Sequence, residues 1–254
     1  MKSPSKKRPL RNPGQSQEKR LEHIFFDDVL FPVMGSLVFL LLAGMEWWRW
    51  YSPGAPSPVT MTVFALMFVS FAVWKLCRIV PQARQIRLGL DGERVVGDFL
   101  EQLCASGAAV IHDFPADGFN LKHLVVHPSG VYYIETQTIA KPAVTDINLY
   151  YDGETVSRRG KALRGSPVIQ ARSGADWLTK FIRQNTGLVI TVQAVVTFPG
   201  CCVESSAEAS SSDVRVLQPK ALPRFIANQS TILDADSQGA CERVLRDHVR
   251  EAEL

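Results

Sequence analysis

Charge is missing from two long stretches of this 254-residue chain: residues 29–45 and 52–74 contain no Asp, Glu, Lys or Arg. A helix crossing the hydrocarbon core of a bilayer needs about 20 predominantly apolar residues. Both stretches reach that length, the first by running on past Glu46 to Trp47 and Trp48. The five cysteines, an odd number, lack any CxxC spacing. That argues against a disulfide framework and against the ligand pairs of a zinc site, and it fits reduced thiols in a cytosolic domain. Adjacent Cys201 and Cys202 are expected as small buried apolar residues at a strand end. The formal net charge of +3 is too small to mark a nucleic-acid-binding chain by itself.

The residues in and around the apolar stretches predict a transmembrane helical hairpin over 29–80. Residues 51–58 (YSPGAPSP) are dense in turn formers and too short for a domain. Trp47, Trp48, Trp50 and Tyr51 cluster at one end and Trp74 closes the second stretch, as in interfacial aromatic belts. Lys2, Lys6, Lys7, Arg8, Arg11, Lys19 and Arg20 precede the first stretch, and Lys75, Arg78, Arg84 and Arg87 follow the second. The connection has only Arg49 nearby. Positive residues stay inside, so the expected placement is the inner (cytoplasmic) membrane, multi-pass, with both termini cytosolic. A cleaved signal peptide fits poorly, because the polar N-terminal region is long and a second span follows. Glu46 reads as a solvated carboxylate at a helix end. The basic tail, 1–28, reads as disordered or lying near anionic lipid.

After a short charged linker at 81–90 the pattern becomes that of a globular domain. A helix over 93–103 puts Val96, Leu100 and Leu103 on one face. Strands are expected at 108–112, 121–126 and 131–136, the last two joined by the turn Pro128-Ser129-Gly130. Further along come a tight turn about Asp152-Gly153 and a helix over 168–183 opened by Ser166-Pro167. An apolar strand at 188–198, a low-complexity loop at 205–212, a short strand at 214–217 and a final helix at 238–253 complete the chain. This order predicts an α/β domain with one mixed sheet over 91–228, followed by a C-terminal helical extension, 229–254.

Several of these residues carry a resemblance. Gly92-Glu93-x-x-Val96, the run 120–126 (NLKHLVV), Pro128-Ser129-Gly130-Val131, Ile134-Glu135-Thr136-Gln137 and Ser166-Pro167-Val168-x-Gln170 resemble the nuclease-related domain (NERD) family. The resemblance runs from about residue 88 to 228 in order and spacing. It implies a restriction-endonuclease-like fold and a divalent-metal phosphodiesterase site. That site has an acid on the first helix, an Asp before the hairpin, a Glu-x-Lys on its second strand and a Gln on the later helix. Alternate strand residues face one way, so Glu135 and residue 137 share a side. Carboxylates there would hold Mg2+ or Mn2+ against the scissile phosphate while the lysine orients the attacking water.

Here Glu93, Glu135 and Gln170 match, but Lys122 replaces the Asp and Gln137 replaces the Lys. Lys122, Glu135 and Gln137 sum to no net charge, whereas hard divalent cations are held chiefly by carboxylate oxygen. The expectation is a degenerate, inactive site with no resident metal, in which either Lys122 or His123 lies beside Glu135. Asp117 is the candidate replacement acid. Its presence leaves open an active nuclease using Glu93, Asp117 and Glu135 with Mg2+ or Mn2+.

Other candidates are weaker. His123 and His127 lie about 13 Å apart along a strand, too far to share one ion. Arg158, Arg159, Lys161, Arg164 and Arg172 form a basic stretch suited to phosphates or to plain solvation. Few aromatics interleave with it, which disfavours single-strand stacking. Three readings follow: a membrane-anchored, nuclease-related module that binds DNA, RNA or a cytosolic protein without cutting; an active rearranged nuclease; and a protein-binding membrane adaptor.

Overall fold

The computed structural model describes residues 10–50, 58–140 and 147–253. Residues 51–57 of the turn expected over 51–58 lie outside these residues, as do Lys2, Lys6, Lys7 and Arg8 of the tail. The chain packs as two units, residues 16–87 and residues 10–15 with 88–253.

In the first unit, α1 (Gln15–His23) passes through a π-helical segment (Ile24–Leu30) into α2 (Phe31–Arg49). The helix α3 (Pro58–Glu101) returns antiparallel to α2. Ser36 Oγ donates to the Phe68 carbonyl at 3.2 Å, the Phe39 and Phe68 rings stack at 4.1 Å, and the Trp47 indole donates to Thr62 Oγ1 at 3.0 Å. Lys75 and Asp28 pair at 2.9 Å. Small residues, Ala43, Ala65 and Ala72, fill the seam, while Phe31, Leu41, Met45, Val59 and Leu66 face outward. Both helices are long and apolar enough to cross a membrane. Glu46, expected as solvated, is held by Arg49 at 3.1 Å.

The expected linker at 81–90 is helical. It lies inside α3, and Pro81 sits mid-helix at the loss of one i→i−4 hydrogen bond. Helix-favouring Arg84, Gln85, Arg87, Leu88 and Leu90 carry the turn onward, so the helix expected to begin near 91 has no start there.

The second unit holds two sheets, not one. The larger has the order β1-β2-β3-β7-β9, with β1 (Ala109–Pro115), β2 (Asn120–His127), β3 (Gly130–Thr136), β7 (Val192–Thr197) and β9 (Val214–Leu217). The first three form an antiparallel meander, and β3, β7 and β9 run parallel. The smaller has the order β6-β5-β4-β8, with β4 (Ile147–Tyr151), β5 (Val156–Arg158), β6 (Lys161–Ala162) and β8 (Cys201–Ser205). The expected turn follows β4, its Asp152 Oδ1 accepting from the Glu154 and Thr155 amides. Cys201 and Cys202 open β8, where Cys201 is buried and Cys202 exposed.

Helices cover both faces of the larger sheet. On one face, α4 (Pro167–Thr186) buries Val168, Ala171, Ala175, Leu178 and Ile182 at helical spacing. Beside it, α6 (Ala235–Glu251) buries Cys241, Leu245 and Val249 in the same core. The stretch expected as an extension at 229–254 therefore belongs to the domain. On the other face, Val96, Leu100 and Leu103 pack with Leu222 and Ile226 of α5 (Leu222–Ala227). Residues 10–15, expected as part of a loose tail, cross this unit as a strap. Arg11 donates to the Asp113 carbonyl and to Glu253, both at 3.0 Å. Pro13 closes on Gly97, where a Cβ would lie 2.5 Å from its Cγ.

Candidate functional site

Strand alternation puts Tyr133 and Glu135 of β3 on the face covered by α4. The register His123↔Ile134 sets Lys122 across from Glu135 and sends His123 to the opposite face. Lys122 Nζ donates to Glu135 Oε1 at 2.6 Å and also to the Thr136 carbonyl. The Tyr133 hydroxyl donates to Glu135 Oε2. Both carboxylate oxygens thus hold a donor, and Glu135 is only 5% exposed. Burial raises the Tyr133 phenol well above its ordinary range, and the neighbouring Glu135 and Glu93 charges add to this. It stays protonated and donating.

Glu93 on α3 is likewise buried, at 3% exposure. The strap reaches it, since a Cβ at Gly14 would stand 3.1 Å from Glu93 Oε2 and would overlap Leu90. Gly14 holds φ +73°, where glycine carries no steric cost. The half-buried Gln137 and the exposed Gln170 come together about Gly165, where a Cβ would lie 4.0 and 3.9 Å from their Nε2 atoms. Gln137 Nε2 points to the Arg164 carbonyl at 3.5 Å.

Asp117 goes elsewhere. Its loop closes with the Ala116 amide donating to the Phe119 carbonyl at 2.8 Å, and its carboxylate accepts from the Trp177 indole at 3.1 Å. Among the described residues no group of three or more His, Cys, Asp and Glu is disposed to hold a metal ion. The donor set about Glu135 does not fit a divalent cation. One of its oxygens is taken by the Tyr133 phenol and the other by the ammonium of Lys122, which brings positive charge where a cation would need a carboxylate.

The basic stretch divides. Arg158 and Lys161 are paired across β5–β6, joined by Arg159-Gly160 with both φ positive, as a tight hairpin turn requires. Arg158, Arg159, Lys161 and Arg164 have no ion pair among the described residues. Arg172 does: Asp213 binds it at 2.6 and 2.7 Å and Glu154 at 3.5 Å, raising its pKa. It is therefore removed from the phosphate candidates.

Neither His123 nor His127 is placed as a ligand. His127 Nδ1 meets Ser129 Oγ at 2.7 Å at the β2–β3 turn. His123 and His112 share one hydrogen bond, Nδ1 to Nδ1, at 2.9 Å. Burial lowers His112 to about 4 and His123 well below 6.5, so both stay neutral.

Residues 88–199, which carry Glu93, Lys122, Glu135, Gln137 and Gln170, match the family model described as "Nuclease-related domain" (NERD). This segment is similar to the nuclease-related domain family. No match was found among curated proteins. Among solved structures, that of Pyrococcus furiosus SfsA in complex with Ca2+ is similar at 14% identity over 56% of each chain, with a TM-score of 0.25. The matched segment takes in β1 to β7 and α4. Its core is completed from outside the matched residues by α5, α6 and the strap.

Residue-by-residue reading missed Tyr133 and Gly174. Tyr133 shares the parity of Glu135, so alternation alone could have found it. Gly174 has no such signal; it leaves room for the Tyr133 ring, which a Cβ there would overlap, and that Cβ would also come within 2.9 Å of Leu121 Cδ2.

Proposed function

We propose that this chain is a membrane-anchored, nuclease-related protein of restriction-endonuclease-like fold that binds nucleic acid without cutting it. The observation that carries this reading is the Lys122 ammonium on Glu135 at 2.6 Å. A cation fixed on the family-pattern glutamate does for that carboxylate what a metal ion would have done, and it offers a phosphate no Lewis acid or metal-bound water. Tyr133 holds the second oxygen as a neutral donor, so Glu135 is not poised as a base.

Binding falls to the exposed cations. Arg158, Arg159 and Lys161 project from the β5–β6 hairpin and Arg164 follows it, a density of unpaired charge suited to phosphodiester oxygens. Anchoring falls to α2 and α3, whose outward apolar side chains match lipid better than water. Residues 10–15 pack on the same unit as residues 88–253. With both helices across a bilayer, the two flanks emerge on one side, and the positive residues favour the cytosol for that side.

The test uses the full chain in detergent, with labelled DNA and RNA, Mg2+ or Mn2+, a chelator control and Glu135→Ala. The reading expects salt-sensitive binding and no metal-dependent cleavage. Cleavage lost in both controls would overturn it in favour of the rearranged nuclease. Absence of binding to any nucleic acid would leave the adaptor.

A further inference from the structure

The segment after β9 carries a second feature that the matched domain does not include. Strands β3, β7 and β9 are parallel, so their carboxyl ends, Thr136, Thr197 and Leu217, lie along one edge of the sheet. Lys122, opposite Glu135, lies at that same edge. Ligands of open α/β sheets gather at the carboxyl ends of parallel strands, because loops and helix starts converge there. Directly beyond Leu217 a 3-10 turn (Pro219–Ala221) leads into α5. These two elements form a surface groove of about 460 Å³ lined by Lys220, Ala221, Arg224, Phe225, Asn228 and Gln229.

The chemistry of this lining is one-sided. It contains two cations four residues apart, two carboxamides, one aromatic ring and no carboxylate. Lys220 and Arg224 are exposed, and among the described residues neither has an ion pair. Arg172, on the same domain, is held by Asp213 and Glu154. The groove cations are instead left open to a ligand. Phe225 packs edge-on against buried Tyr132, with centroids 6.4 Å apart, and Ile226 beside it is fully buried, so the floor of the groove is anchored in the core. Unpaired cations over a core-anchored floor with amide donors at one end suit a phosphodiester, which offers charged oxygens and neighbouring acceptors.

We infer that the groove of Lys220, Arg224, Phe225, Asn228 and Gln229 is a second binding patch for a nucleic-acid backbone, separate from the β5–β6 hairpin. This rests on the nucleic-acid reading above and extends it to a further surface. Lys220 and Arg224 each take a phosphate, while Asn228 and Gln229 donate to sugar or phosphate oxygen. Interactions of this kind position a strand without reading its sequence.

The experiment is fluorescence anisotropy of labelled 20-nucleotide single strands and duplexes with the full chain in neutral detergent, across a salt series. Parent, Lys220→Gln/Arg224→Gln and Arg158→Gln/Arg159→Gln proteins are compared, each checked by thermal melting. The inference expects the groove variant to bind about tenfold or more weakly at low salt. It also expects the slope of log affinity against log salt to drop by about two, one for each phosphate that the variant no longer neutralises. An unchanged affinity and slope in the groove variant, alongside weakened binding in the hairpin variant, would overturn the groove and leave the nucleic-acid reading standing. A parent that binds none of the probes would overturn both.

Discussion

Lys122 is the residue on which the site turns. A buried carboxylate stripped of its cation is left uncompensated, and such losses typically cost about 3–5 kcal/mol. Lys122 keeps a quarter of its side chain in solvent, so the cost here is set lower, at about 2 kcal/mol. Lys122→Met should lower the melting temperature by several degrees, whereas Lys122→Met combined with Glu135→Gln should recover part of the loss. The lysine was legible because it stands where the resemblance puts an aspartate. That it meets Glu135, with His123 turned away, depended on a one-residue choice of register that side-chain types do not make.

The histidine pair gives a second prediction at this scale. His112 is neutral in the fold, with its pKa down at about 4 against 6.5 when unfolded. Between those values the unfolded chain binds more protons, so stability rises with pH. The contribution is complete above about 6.5 and is lost as pH falls towards 4, on the order of 3 kcal/mol in all. Thermal melts at pH 7.5, 6 and 5 should show this decline, and His112→Gln should make it shallower, with buried His123 carrying the remainder. A parent melting temperature constant across that range would contradict it. His112 had no sequence signal of its own; its partner came only with the pairing of β1 and β2.

Among the elements, α4 positions the site through a missing side chain. A Cβ at Gly174 would overlap the Tyr133 ring. Gly174→Ala should therefore displace the donor to Glu135 and cost roughly 1–3 kcal/mol, visible in a melt, despite the better helix propensity of alanine. The helix itself was legible from its 3.6-residue apolar spacing, as were β2 and β3 from their turn. The smaller sheet was not, since its strands run only two to five residues and only β4 alternates along its length. The expectation of a linker at 81–90 rested on its charge and on the change of pattern after it, and here helix-favouring residues carry the turn on past Pro81.

At the scale of the whole molecule, the domain is closed by segments from both ends of the chain. Arg11 ties the Asp113 carbonyl to Glu253, and α6 fills the core beneath α4. A fragment starting at Pro81 lacks the strap and uncovers Leu90, Glu93 and Gly97, so it should melt below the full chain. Arg11→Ala in the full chain should reproduce part of that drop. Sequence order hid this closure, because the strap and the domain it covers are separated by the two apolar stretches.

The measurement that goes most directly to the central claim is Mn2+ binding, by electron paramagnetic resonance, to the full chain in detergent and to its Lys122→Asp variant. With the ammonium in the metal's place, the parent should take up no Mn2+ that depends on Glu135, and Lys122→Asp should gain a site that is lost again on adding Glu135→Ala. Saturable Mn2+ binding by the parent, abolished by Glu135→Ala alone, would contradict the account.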